Sequence, residues 1–451
     1  MKNQDTAGGL AKRPSMFKLT LPLFIELLLQ VMVGFMDQLM ISHYDETMVG
    51  AVSNADSIIN IVLILFSIVS TATTILVSQY LGAKEYDKLS EVYTLSIALN
   101  LIFGLIISLL LFILAPSLAV WMRVPESLRG GFVSYLRIVG GFLFLQSTFL
   151  SYSALFKSNG FAAYTTAFAV VMNIVNIFVN WLLIYGKLGM PELGVDGAAI
   201  ATSFSKAVGL ALTVICYGRT VKTPISPSGL RPFPRDMLRR ILRIGLPSAG
   251  ENLSYDVSQL VILVFVNMLG AADLTARSHA WLLAWVCCLF SSSVGNALRI
   301  LVGYLVGAGE NEEAVRVIKR SVVVSTIISV GCAALICVFS DAVFGLFTTD
   351  PEVLKIAHDV YVVEIILEFG RTVNIIMVAS LQAAGDVEFP LRLGIISNWL
   401  VAVPLAYVFG IPLGMGLVGI WIGCAADECL RGAVYVLRFK KGVWRTRNLM
   451  E

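Results

Sequence analysis

Asp37 is an acid set directly after the apolar run Val33-Gly34-Phe35-Met36. An ionisable side chain inside a bilayer costs about 2.5–3.5 kcal/mol on insertion scales. A bound proton or metal cation lowers that cost, so an acid placed there can load and release a cation. The plainer alternative is a carboxylate satisfied by a neighbouring Asn or Thr. A helix puts residues 3, 4, 7 and 11 apart on one face, which groups Glu26, Gln30 and Asp37 on one stripe. Further along, Asn173, Asn176 and Asn180 share a face of an otherwise Val/Ile/Phe segment. Such a stripe either bonds one helix to another or offers carbonyl oxygens to a cation beside Asp37. Both readings stand on spacing alone.

The second half of the chain has its own polar stripes. Glu364, Glu368, Arg371 and Asn374 fall on one helical face. Glu368 and Arg371 either pair internally or leave Arg371 facing an anionic ligand group. Glu251, Tyr255 and Ser258 form another stripe with Asp256 one step aside, and Asn296 and Arg299 a third. Trp281 and Trp285, four apart, either stack an aromatic ligand or pack. Asp427, Glu428 and Arg431 are expected to fix helix packing at a cytoplasmic face. No HExxH, GxSxG or Walker loop is present. The chain therefore reads as no enzyme, and active transport would draw on an ion gradient or a partner protein.

The elements that carry these stripes follow from composition. Of 451 residues, 57% are hydrophobic and 14% charged, against about 25% charged in soluble chains. The formal net charge of +3 gives no reason to expect nucleic acid. Seven Cys lie in apolar stretches without metal-ligand spacing, so no metal cofactor is expected. A spanning helix needs about 20 apolar residues. Twelve candidates lie near 16–41, 50–81, 90–115, 131–155, 162–185, 195–218, 243–269, 273–306, 315–340, 356–382, 389–410 and 415–437. Lys and Arg cluster in the N-terminal tail, in the stretch from Arg219 to Arg243, and after Arg438. These regions share a side only if each half has an even number of spans, so both termini are expected in the cytoplasm. The N-terminal segment lacks a cleavable signal pattern. The expected organisation is a tail at 1–15, a first lobe at 16–218, a linker at 219–242, a second lobe at 243–437 and a basic tail at 438–451.

The halves are copies. Leu21-Pro22 returns as Leu246-Pro247, Ile75-Leu76-Val77 as Ile300-Leu301-Val302 and Gly82-Ala83 as Gly307-Ala308, all at an offset of 247 − 22 = 225. With an even count of spans per half, the repeats run parallel, as in transporters built by duplication. At the same offset Glu26 meets Glu251, but Asp37 meets Ile262. The first half alone keeps the deep acid.

Several stretches resemble the multidrug and toxic compound extrusion (MATE) family, in order along the chain. They are Gly34-Phe35-Met36-Asp37-Gln38-Leu39-Met40, Val77-Ser78-Gln79-Tyr80-Leu81-Gly82-Ala83, Asn176-Ile177-Phe178-Val179-Asn180 and Gly194-Val195-Asp196-Gly197-Ala198-Ala199. In the second half Leu381-Gln382-Ala383-Ala384-Gly385-Asp386 and Gly416-Leu417-Val418-Gly419-Ile420-Trp421 also fit. The resemblance implies an all-α integral membrane protein. Its twelve transmembrane helices form two parallel six-helix repeats arranged as a V-shaped pair of lobes. It implies an antiporter that exports amphipathic or aromatic compounds in exchange for H⁺ or Na⁺, monomeric, in the bacterial inner membrane, with the lipid bilayer and a small-molecule substrate as its partners.

Carried over, the family's ion site falls on Asp37, Asn176, Asn180 and Thr202, with a backbone carbonyl near Ala198. Many relatives have Asp where Asn180 stands, and losing that anion tilts the expectation from Na⁺ towards H⁺. Tyr255 and Arg371 stand where some relatives carry acids. The expected substrate cavity or second polar network is Glu26, Gln30, Glu251, Tyr255, Asp256, Arg299, Glu368, Arg371 and Asn374. A lipid-linked saccharide flippase of the same superfamily is the runner-up, and a membrane enzyme or receptor is a third reading.

Overall fold

The computed structural model describes residues 15–221, 223–226 and 230–446, all in helices and their connections. Two compact units divide the chain, Met1–Gly245 and Leu246–Glu451. The first contains α1 (Met16–Tyr44), α2 (Met48–Ala83), α3 (Tyr86–Trp121), α4 (Glu126–Gly141), α5 (Leu143–Ser158), α6 (Ala162–Ile184) and α7 (Val195–Thr220). α8 (Arg235–Asn267) begins in this unit and continues into the second. There follow α9 (Ala271–Gly307), α10 (Asn311–Val338), the short α11 (Ser340–Phe344), α12 (Pro351–Ala383), α13 (Glu388–Ser397), α14 (Val403–Gly410) and α15 (Gly416–Lys440).

Among the described residues, eight helical segments are long and apolar enough to cross a membrane, and the α4–α5 pair, bent by 41°, makes a ninth. The three long helices that fall outside this test are α8, α12 and α15. Their mid-helix residues include Glu251 and Asp256, then Glu364, Glu368 and Arg371, then Asp427, Glu428 and Arg431. Their charge hides their span character from a hydropathy window, and burial of that charge in the unit, Asp256 excepted, explains how they span all the same. On α3, Ile102, Ile106, Leu109 and Ile113 are each more than half exposed, as expected of a lipid-facing surface.

Several boundaries differ from the sequence expectation for local reasons. The seventh span, expected from 243, starts at Arg235, and the connector before it is held to α3: Ser90 donates to the Pro224 carbonyl at 2.7 Å and Ser226 N–H to Thr94 at 3.1 Å. Lys222, Pro227 and Ser228 of that connector lie outside the described residues. The eleventh span carries a π turn at Asn398–Ala402, where Val403 N–H reaches back to the Asn398 carbonyl. Pro404, with no N–H, follows immediately. Asp350 caps α12, its side chain accepting from Glu352 N–H at 2.9 Å, with Pro351 at the first helical position.

Two glycines set the close approaches that bring polar faces together. At Gly197 a Cβ would fall 2.7 Å from the Leu183 carbonyl carbon, so the start of α7 lies directly on the end of α6. At Gly370 a Cβ would fall 2.6 Å from Cys429 N, which lets α12 press against the backbone of α15.

Candidate functional site

In the first unit, α6 turns its Asn face towards α1. Asn180 Nδ2 donates to Asp37 Oδ1 at 2.6 Å and also lies 3.2 Å from Asn176 Oδ1. Asn176 Nδ2 reaches Thr202 Oγ1 on α7 at 3.5 Å. Asp37, Asn180, Asn176 and Thr202 thus form one chain of contacts across three helices. The Asn180 Oδ1 atom is buried with no hydrogen-bond partner, an acceptor open to a proton-bearing or cationic group. Ala198 is fully buried in the apolar cluster of the unit. Asn173 does the other job that spacing allowed: its Nδ2 donates to the Leu29 carbonyl at 3.2 Å and bonds α6 to α1.

The members of the stripe Glu26–Gln30–Asp37 meet different neighbours. Glu26 pairs with Lys157 Nζ at 2.7 Å and accepts from Thr165 at 3.1 Å. Gln30 is exposed. Eleven residues of helix rise, about 16 Å, separate Glu26 from Asp37. At the repeat offset, Lys157 corresponds to Gln382 (157 + 225 = 382). Gln382 accepts from Arg299 at 3.3 Å, and Arg299 interacts electrostatically with Glu251. The matched acids Glu26 and Glu251 each keep a cation nearby, supplied from α5 in one unit and from α15 and α9 in the other.

Three residues near Asp37 are absent from the expected set. Asp56 on α2 and Lys206 on α7 both interact electrostatically with it. Tyr135 on α4 donates to Asp56 at 3.4 Å and also faces Thr202. Asp56 is the one charged residue of its helix and Lys206 the one near the middle of its own, so a search for stripes passes over them. Asking every ionisable group in a span for its partner would find both.

The second unit holds a larger buried network. Arg371 NH1 lies 2.9 Å from both Glu364 Oε1 and Glu368 Oε2. Trp421 Nε1 donates to the other Glu364 oxygen at 2.7 Å. Arg431 pairs with Asp427 and Glu428, each at 2.8 Å, lies 4.0 Å from Glu251, and stacks over Tyr255 at 5.7 Å. Asn374 donates to Glu428 at 2.5 Å, and Ser397 donates to Asp427. Arg371 is therefore held by acids of its own helix, which favours internal pairing over an anionic ligand. Arg299 is likewise engaged, donating to Asn296 at 2.7 Å. Asp256 is exposed and stands apart from the network. The group Asp427–Glu428–Arg431, expected at a cytoplasmic face, instead sits buried midway along α15. Packing of α12 on α15 draws it inward.

A cleft in this unit is lined by Tyr255, Arg277, Trp281, Trp421, Asp427 and Glu428, with Ile262 at the place that Asp37 takes in the other repeat. Arg277 stacks on Trp281 at 5.3 Å. Among the described residues no cluster of His, Cys, Asp and Glu would hold a metal ion.

The MatE family profile matches residues 22–182 and 247–408, two segments separated by the repeat offset, 247 − 22 = 225. The uncharacterized transporter YisQ of Bacillus subtilis is 36% identical over 435 residues, covering 96% of each chain. The probable multidrug resistance protein NorM of Thermotoga maritima is 25% identical over 445 residues, covering 97% of this chain and 94% of that one. Among solved structures, a MOP superfamily transporter from Pyrococcus furiosus superposes with a TM-score of 0.88 at 22% identity, over 99% of this chain and 100% of that one. A MATE transporter in a bent conformation gives 0.89 at 21%, over 98% and 99%. These structural likenesses carry the two-lobe, twelve-helix fold. With the profile matched in both halves and a relative of 36% identity along nearly the whole length, the chain belongs to the MatE family of multi-pass membrane transporters.

Proposed function

We propose that the protein is a cation-coupled antiporter that exports amphipathic or aromatic small molecules by alternating access, with H⁺ as the coupling ion. The observation that carries this reading is the contact chain Asp37–Asn180–Asn176–Thr202. It gathers one carboxylate and several neutral oxygens inside a bundle of membrane helices. Protonation of Asp37 removes the cost of a buried charge and changes what Asn180 must satisfy, so contacts between α1 and α6 differ between the loaded and empty states. Inward movement of one positive charge gains about 2.3 kcal/mol per 100 mV of membrane potential, enough to tip a modest conformational equilibrium. The aromatic cleft of the second unit, with Tyr255, Trp281 and Trp421, supports an aromatic substrate. Both termini are placed in the cytoplasm by the basic residues of the tails and connector.

The test is uptake of an aromatic dye into inverted vesicles under an imposed pH gradient or an imposed Na⁺ gradient. Dye movement should follow the pH gradient, and Asp37→Asn should abolish it. Wild-type rates in Asp37→Asn under the same gradient would refute the assignment.

A further inference from the structure

Lys206 lies one helical turn beyond Thr202 on α7, on the same face. Its ammonium interacts with both Asp56 and Asp37. Tyr135 holds Asp56 from α4 and also faces Thr202, so the same few side chains surround both acids. With all three charges present, Asp37, Asp56 and Lys206 sum to −1. Removing the lysine would leave two carboxylates, Asn oxygens and a hydroxyl, which is the donor set a hard cation seeks.

We infer that Lys206 is a built-in cation at this site that excludes Na⁺ and leaves the proton as the coupling ion. This inference rests on the Asp37 reading above. The physical argument is Coulombic. A metal ion bound at Asp37 would share its surroundings with an ammonium that interacts with the same carboxylate. At an effective dielectric of about 20, unit charges about 8 Å apart repel by on the order of 30-fold in cation affinity. A proton feels the same field, but it bonds to a single carboxylate oxygen and needs no shell of oxygens. A neutral Asn at position 180 and the presence of Lys206 therefore act in one direction: both leave the site with less negative charge than Na⁺ favours.

The experiment is thermal unfolding of the purified full-length protein in detergent, in NaCl or in choline chloride at equal ionic strength. It compares wild type, Lys206→Arg, Lys206→Met, Lys206→Gln and the double variant Lys206→Met/Asp37→Asn. Wild type and Lys206→Arg should melt alike in the two salts. Lys206→Met and Lys206→Gln should gain a saturable Na⁺ stabilisation that wild type lacks over the same concentrations, and Asp37→Asn should erase it. Saturable stabilisation of wild type by Na⁺ overturns the inference even if the lysine variants fail to fold. So does a lack of Na⁺ stabilisation in folded Lys206→Met and Lys206→Gln. If that lack is found while Asp37→Asn still abolishes proton-driven transport, the inference fails and the Asp37 reading stands. Na⁺ stabilisation that survives in the double variant instead overturns the placement of the ion at Asp37, and the inference with it.

Discussion

Replacing Arg371 by Met tests whether the centre of the second unit is an internal ion cluster or a ligand-facing guanidinium. The side chain holds two acids, each 2.9 Å from NH1 and each 0% exposed. Neither acid regains water when the guanidinium leaves. Breaking a buried pair by removing one partner costs about 3–5 kcal/mol, because a charge stays buried without compensation. Here the acids keep some support: Glu364 retains Trp421 Nε1 at 2.7 Å and Glu368 retains Thr372 Oγ1 at 3.3 Å. Hydrogen bonds to charged groups are worth about 1.5–3 kcal/mol, which puts the expected loss near the lower limit, about 3 kcal/mol. The assay is the free energy of unfolding by denaturant titration in detergent, for wild type, Arg371→Met, and the triple variant that adds Glu364→Gln and Glu368→Gln. Removing both acid charges should restore more than half of the loss, since neutral groups replace a buried ion cluster at little net cost. An Arg371→Met protein within about 1 kcal/mol of wild type would refute the reasoning and return Arg371 to the ligand-facing role that spacing also allowed.

Trp421→Phe removes the donor to Glu364 without removing much volume; it should cost about 1.5–3 kcal/mol in the same titration, and Glu364→Gln should blunt that cost. Gly370→Ala puts a methyl 2.6 Å from Cys429 N, where backbone must move, so a loss of about 1–3 kcal/mol is expected. Gly331→Ala on α10 meets nothing within 4 Å and should instead gain about 0.5–1 kcal/mol from helix propensity; equal effects at the two glycines would contradict the packing of α12 on α15.

Helical stripes read correctly wherever the partner was local or the face was crowded with one residue type. Asn176 and Asn180 were legible because three Asn on one face stand out from an apolar helix, and the structure bonds Asn180 to Asp37 and Asn176 to Asn180. Glu368 and Arg371 were legible as a pair because they are one turn apart. Legibility failed where the stripe was real but its members faced different neighbours. Glu26 and Asp37 share a face of α1, yet one meets Lys157 on α5 and the other Asn180 on α6. It failed again for Asp56 and Tyr135, which have no companion at helical spacing, and for Lys206, whose companion one turn away, Thr202, entered the expected site only through the family resemblance.

What the amino-acid order determined by itself was therefore everything carried by local period and by duplication: the helices, the repeat of 225 residues that the family profile also shows, and the acid at Asp37 where the second half has Ile262. Hydropathy and a helical face are properties of a window of residues, and a window reads them. Tertiary structure alone decided which faces meet. The Asp37–Asn180 contact joins residues 143 apart in the chain, and Asn374–Glu428 joins residues 54 apart. Both depend on the rotation and closeness of packed helices, set by contacts such as those at Gly197 and Gly370. That packing turned Asp427, Glu428 and Arg431 inward, closed Arg371 into an ion cluster, and set Lys206 and Asp56 within electrostatic reach of Asp37.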